Sequence, residues 1–156
     1  MTNEDVTTLQ KHQTELLGML SEVDVALATT GPTKATALAL IRWRLTRALR
    51  SYQLFKHLKV LDPLIARGKP QQRSLALGMK ERCIATGEKF DAHVLRWSTG
   101  GIESAWPDYN REANQIAATL RRHLEREQRE LTFLLDGARQ PGPERSTFPA
   151  ATDRCA

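Results

Sequence analysis

Apolar residues recur along this chain at steps of three and four in four separate stretches. Each stretch predicts an amphipathic helix. The first has the seam Val6, Leu9, Leu16, Leu20, Val23 and Leu27, with Asn3 as its cap and Glu4 and Asp5 in a first turn that favours negative charge. His12 fills the gap between Leu9 and Leu16 and is expected to point inward. Thr29-Thr30-Gly31-Pro32-Thr33 ends this helix, because glycine permits a left-handed exit and proline disfavours helical geometry in the residue before it. A second helix is expected from Lys34 to Ala66. Leu38, Ile41, Leu45, Leu49 and Tyr52 lie on one side, then Leu54, His57, Leu61 and Leu64 form a stripe, and Pro63 bends or ends the helix.

After the break at Arg67-Gly68-Lys69-Pro70, Gln71 opens a third helix with the seam Met79, Cys83, Thr86, Phe90, Val94 and Trp97. His93 lies at the edge of that stripe. Ser98-Thr99-Gly100-Gly101 stops it, and a loop leads to Trp106-Pro107, where proline suits the start of a fourth helix. Ile116, Leu120, His123, Glu127, Leu131 and Leu134 follow at helical steps until Asp136-Gly137. The pattern predicts an all-α chain, an up-down-up-down antiparallel four-helix bundle over residues 1–137, with a flexible, disordered tail over 138–156.

Composition agrees with long helices: 40% of residues are apolar, 26% charged and only 6% aromatic. The 156 residues suffice for one domain with its own core. No apolar run has the length of a membrane span, and the first residues lack the pattern of a signal peptide, so a cytoplasmic protein is expected. Cys83 and Cys155 are expected to be free thiols. The net charge of +5 is spread over helix faces where arginines alternate with glutamates or point in several directions. Without aromatic interleaving or a recognised motif, no nucleic-acid partner is expected. A protein partner or a homodimer stays open.

The chemistry-bearing residues are four histidines, one on each expected helix: His12, His57, His93 and His123. Glu127 follows His123 by four residues, one helical turn, so an imidazole and a carboxylate share a face and can grip one metal ion. The stretch from Leu9 to Leu20 around His12, and the segment His123-Leu-Glu-Arg-Glu127, closely resemble the hemerythrin-like family of four-helix bundles. Phe55-Lys-His57-Leu-Lys-Val-Leu61-Asp62 looks like the same family's His-x-x-x-Glu element with its carboxylate altered. The likeness spans roughly residues 4 to 136. It implies non-haem iron, one or two ions, with His12, His57, His123 and Glu127 at matching ligand positions.

Two departures bear on that set. Leu61 stands where the resemblance calls for a bridging glutamate, and Asp62 next door is turned about 100° around the helix. His93 is about 24 residues past the break at Lys69 whereas His57 is about 12 before it, which places His93 on the order of 15 Å along the axis from the level of His57 and His123. Cys83 falls at that level, so the third helix offers either His93 or Cys83. The expectation is a binding or sensing protein, for oxygen, nitric oxide or redox state, more than an enzyme. A metal-free interaction or regulatory protein is the alternative, and haem held by inward histidines a further one. No catalytic nucleophile-and-base arrangement or phosphate loop is seen.

Overall fold

The computed structural model describes residues 1–29, 31 and 35–139, with side chains up to 136. Five α-helices and one π-helical turn make up the described chain: α1 (Asn3–Thr29), α2 (Ala35–Lys56), the π turn (His57–Leu61), α3 (Asp62–Arg67), α4 (Pro70–Trp97) and α5 (Trp106–Arg139). The fold is all-α, with no strand among the described residues. None of these helices is long and apolar enough to cross a membrane. Helix α1 packs against α2 and α5, α4 packs against α5, and the π turn with α3 packs against α4.

The expected helix limits hold closely, with three instructive differences. Thr2, one residue before Asn3, caps α1: its Oγ1 accepts from the Asp5 N–H at 3.1 Å while its own N–H donates to the Asp5 carboxylate at 2.9 Å. The second expected helix does run to Arg67, but through a π turn whose defining bond is the Asp62 N–H to the His57 carbonyl. Pro63 is the physical cause, since it has no N–H to give the turn before it and its ring crowds the carbonyl four residues back. A widened turn absorbs both. The last helix continues through Gly137 to Arg139 rather than stopping at Asp136-Gly137. Of the expected tail, residues 140–156 lie outside the described residues.

Two apolar clusters form the interior. The larger joins Leu9, Leu16 and Leu20 of α1 to Leu45 and Tyr52 of α2, Met79 and Phe90 of α4, and Leu120, Leu124, Leu131 and Leu134 of α5. A smaller one at the far end holds Leu27, Leu38, Trp97, Ile102, Tyr109 and Ala113. Each buried leucine contributes roughly 1.5–3 kcal/mol relative to exposure, which is what lets the core carry charged groups. Those groups sit in the larger cluster.

Candidate functional site

Among the described residues, four that are polar or charged are buried: Gln13, Lys56, His93 and Glu127. Three of them meet at one place. Lys56, the last residue of α2, is fully buried, and its ammonium donates to both Glu127 oxygens, at 2.5 and 2.6 Å, and to the Cys83 sulfur at 3.1 Å. Tyr52, one turn earlier, donates its hydroxyl to Glu127 at 2.6 Å and receives a hydrogen bond from the Gln13 amide at 3.1 Å. The ring of Tyr52 lies under the ammonium, 4.5 Å from its centroid. From α5, His123 Nε2 approaches Glu127 Oε1 at 2.5 Å, so the one-turn spacing of these two residues brings their polar atoms together.

Cys83 of α4 completes the cluster. Its sulfur, a His123 ring nitrogen and a Glu127 oxygen lie within 4.8 Å of one another. His57 stands beside the thiol, and its Nε2 is buried with no hydrogen-bond partner. A cavity of about 130 Å³ reaches the group, lined among others by Tyr52, Lys56, Cys83, Gly87, Phe90 and His123.

Charge decides the protonation of these groups. Burial pushes the Cys83 thiol up, but hydrogen bonding to His123 and then His57, with the Lys56 charge, outweighs it and brings the thiol down to about 6. Burial pushes His123 down, and hydrogen bonds to Cys83 and Glu127 reverse that and raise it to about 9. Glu127 is held at about 2, against its burial, by the His123 hydrogen bond and the Lys56 charge. Tyr52 is driven upward by burial and by the neighbouring Glu127 carboxylate, which keeps its hydroxyl a donor. Near neutral pH the cluster is therefore a thiolate, an imidazolium, a carboxylate and an ammonium, balanced in charge.

The structure brings His123, Glu127, His57 and Cys83 together, keeps His12 at the edge of the group with its ring 6.1 Å from that of Tyr52, and leaves His93 elsewhere. His12 is half-buried, with its ring 5.6 Å from that of Phe55, and it lines a surface hollow with Glu15, Trp43 and Arg47. Its neighbour Gln13 is the α1 residue that points inward. His93 binds Glu112 through Nδ1 at 2.9 Å and stacks on Tyr109, ten residues and about 15 Å along α4 from Cys83. Burial holds this imidazole below its usual pKa despite Glu112, which also binds Arg96 and the Trp97 indole. Asp62 turns away to Lys80, 2.7 Å from its ammonium, and Leu61 is fully buried in the core.

These residues do not fit a two-ion centre. Glu127 is the one buried carboxylate among the described residues, both of its oxygens are taken by an ammonium, and Leu61 offers no donor. The four histidines line four different hollows. Comparison with protein-family models, with curated proteins and with solved structures finds no match to this chain.

Proposed function

We propose that this chain is a hemerythrin-like, up-down-up-down antiparallel four-helix bundle whose central cation is the Lys56 ammonium, and that it senses redox state through the Cys83 thiolate. The observation that carries this reading is the meeting of Lys56, Cys83, His123 and Glu127 around one point beside a cavity. A buried ion cluster is a poor way to gain stability, since apolar residues of similar size do as well or better. Perturbed ionisable groups that face a cavity and have specific charge partners are the groups functional sites are built from. The thiolate is the nucleophile that attacks hydroperoxides and other electrophiles, and the imidazolium and ammonium beside it maintain it.

The rate at which hydrogen peroxide consumes the Cys83 thiol, followed by mass spectrometry, tests the reading. Cys83 should be oxidised readily at pH 7, with a half-maximal rate near pH 6, and faster than Cys155. A Cys83 that reacts no faster than Cys155 at pH 7 would count against it.

A second reading keeps a single metal ion. The close approach of the Cys83, His123 and Glu127 donor atoms favours it, as does the unpartnered His57 Nε2. Thiolate, imidazole and carboxylate together suit zinc or ferrous iron, with oxygen or nitric oxide as ligands in the latter case. Lys56 would have to leave Glu127 first. Metal analysis of the freshly purified chain separates the readings: about one ion per chain, rising in Lys56→Met, supports the second, and metal-free protein in both forms removes it.

A further inference from the structure

The cluster holds more than a thiolate and its counter-charge. Lys56 Nζ lies 3.1 Å from Cys83 Sγ, already in contact, and the two residues come from different helices, α2 and α4. Cys83 is the one cysteine among the described residues, and among them no second thiol stands beside it to resolve an oxidised sulfur. We infer that Lys56 is the resolving group: a hydroperoxide oxidises Cys83, and the Lys56 amine then captures the sulfur, forming a reversible sulfur–nitrogen bond that ties α2 to α4. The inference rests on the redox reading above.

The cluster supplies each proton the two steps need. In the first, the Cys83 thiolate attacks the terminal oxygen of the hydroperoxide and the O–O bond breaks. Sulfur is oxidised by two electrons to the sulfenic acid, and the leaving alkoxide or hydroxide takes a proton from His123, whose ring nitrogen lies within 4.8 Å of the sulfur. In the second, Lys56 gives one proton to the Glu127 carboxylate, which touches its nitrogen at 2.5 and 2.6 Å. The freed amine attacks sulfur, the S–O bond breaks, and the hydroxide leaves as water with the second amine proton. The sum is thiol plus amine plus hydroperoxide giving a sulfenamide, an alcohol or water, and one further water.

The electrostatic outcome favours the product. Before oxidation the site buries four charges. Afterwards the sulfenamide carries no charge, and the proton Lys56 gave up passes through Glu127 to His123, 2.5 Å away, while the carboxylate keeps the Tyr52 hydroxyl as a partner. Burying ions is costly, so discharging the Cys83–Lys56 pair lowers the cost of the closed site. The unbranched lysine stem can follow the shortening from contact to bond without moving the helix.

Peptide mapping of the full chain after treatment with a small hydroperoxide tests this. The expected result is a linked pair of peptides holding Lys56 and Cys83, lighter by two hydrogens than the sum of the free peptides. Trypsin should no longer cut at Lys56, and dithiothreitol should restore both cutting and mass. Cys155→Ser should give the same product, and Lys56→Met should not. In case Lys56→Met fails to fold, Lys56→Met/Glu127→Leu removes the stranded carboxylate as well, and circular dichroism checks its helices. Four results overturn the inference: Cys83 oxidised to sulfenic or sulfinic acid with Lys56 free, a Cys83–Cys155 disulfide, a linked pair one oxygen heavier than expected, or a linked pair that survives dithiothreitol. The first leaves the thiolate sensor standing. Failure of Cys83 to react at all would instead remove the redox reading.

Discussion

Lys56 and Glu127 are held in the core largely by each other. Removing one takes away the other's closest partner of opposite charge, and Lys56→Met should destabilise the chain by about 3–5 kcal/mol in urea unfolding. Adding Glu127→Leu should recover most of that loss, because the pair is then replaced by apolar groups. A double variant as unstable as the single one would show that the pair does more than satisfy itself. The same residues set the response to pH. Glu127, lowered from 4.5 to about 2, contributes stability that is present above pH 4.5 and lost as pH falls toward 2. His123, raised from 6.5 to about 9, contributes stability that is full below pH 6.5 and lost as pH rises to 9. Cys83, lowered from 9.0 to about 6, does the reverse, losing its contribution as pH falls from 9 to 6. The last two offset each other, so the wild-type chain should be nearly flat in stability from pH 6.5 to 9. Cys83→Ser removes the rising half, and its urea midpoint should fall across that window by on the order of 1 kcal/mol of stability. A flat profile in Cys83→Ser would mean that His123 carries no proton there.

At the scale of the element, the turn between α3 and α4 depends on one close approach. Gly68 has ordinary extended backbone angles, φ −70° and ψ 164°, so no left-handed conformation explains it. A Cβ at this position would lie 2.4 Å from the Leu64 carbonyl oxygen, the atom that accepts the Gly68 N–H. Gly68→Ala should therefore cost about 1–3 kcal/mol in thermal or urea unfolding despite adding only a methyl group. The helices are legible in the sequence because their seams are long and regular, and Glu127 stands openly on the α5 seam, whereas Gln13 and His93 depend on where the steps of three and four fall. Strict alternation of four and three gives 9, 13, 16, 20 on α1, 45, 49, 52, 56 on α2, 83, 86, 90, 93 on α4 and 120, 124, 127, 131 on α5. All four buried polar residues fall on those seams. Stepping from Leu9 to Leu16 and filling the gap with His12 passes over Gln13, and choosing Val94 displaces His93. Lys56 escapes the pattern for a physical reason: lysine is almost never fully buried, and only the partner supplied by another helix makes it so here. Pairing of this kind is tertiary, and a one-helix pattern does not contain it.

For the molecule as a whole, the site depends on access as much as on chemistry. Gly87 lies one turn beyond Cys83 on α4 and borders the cavity, and a Cβ there would meet only the Gln53 amide, at 3.8–3.9 Å. Gly87→Ala should therefore leave stability within about 1 kcal/mol, with helix propensity in its favour. Gly87→Leu should fill the mouth and slow iodoacetamide labelling of Cys83 by on the order of tenfold, with the helical signal in circular dichroism unchanged. Equal labelling rates in the two variants would mean that reagents reach the sulfur by another route. The level of the site was readable from loop arithmetic, which put Cys83 beside His57 and His123, whereas its charge balance needed three helices packed together.

The burial of Lys56 also makes it a clock. Reagents that acylate surface amines should modify the exposed lysines, such as Lys11, Lys59, Lys69 and Lys89, while the chain stays closed. Lys56 gains its label only when the cluster opens and releases Glu127. The delay between surface labelling and labelling at Lys56 thus times the rarest motion of this core, and comparing it with and without peroxide treatment reads whether oxidation has locked the helices together.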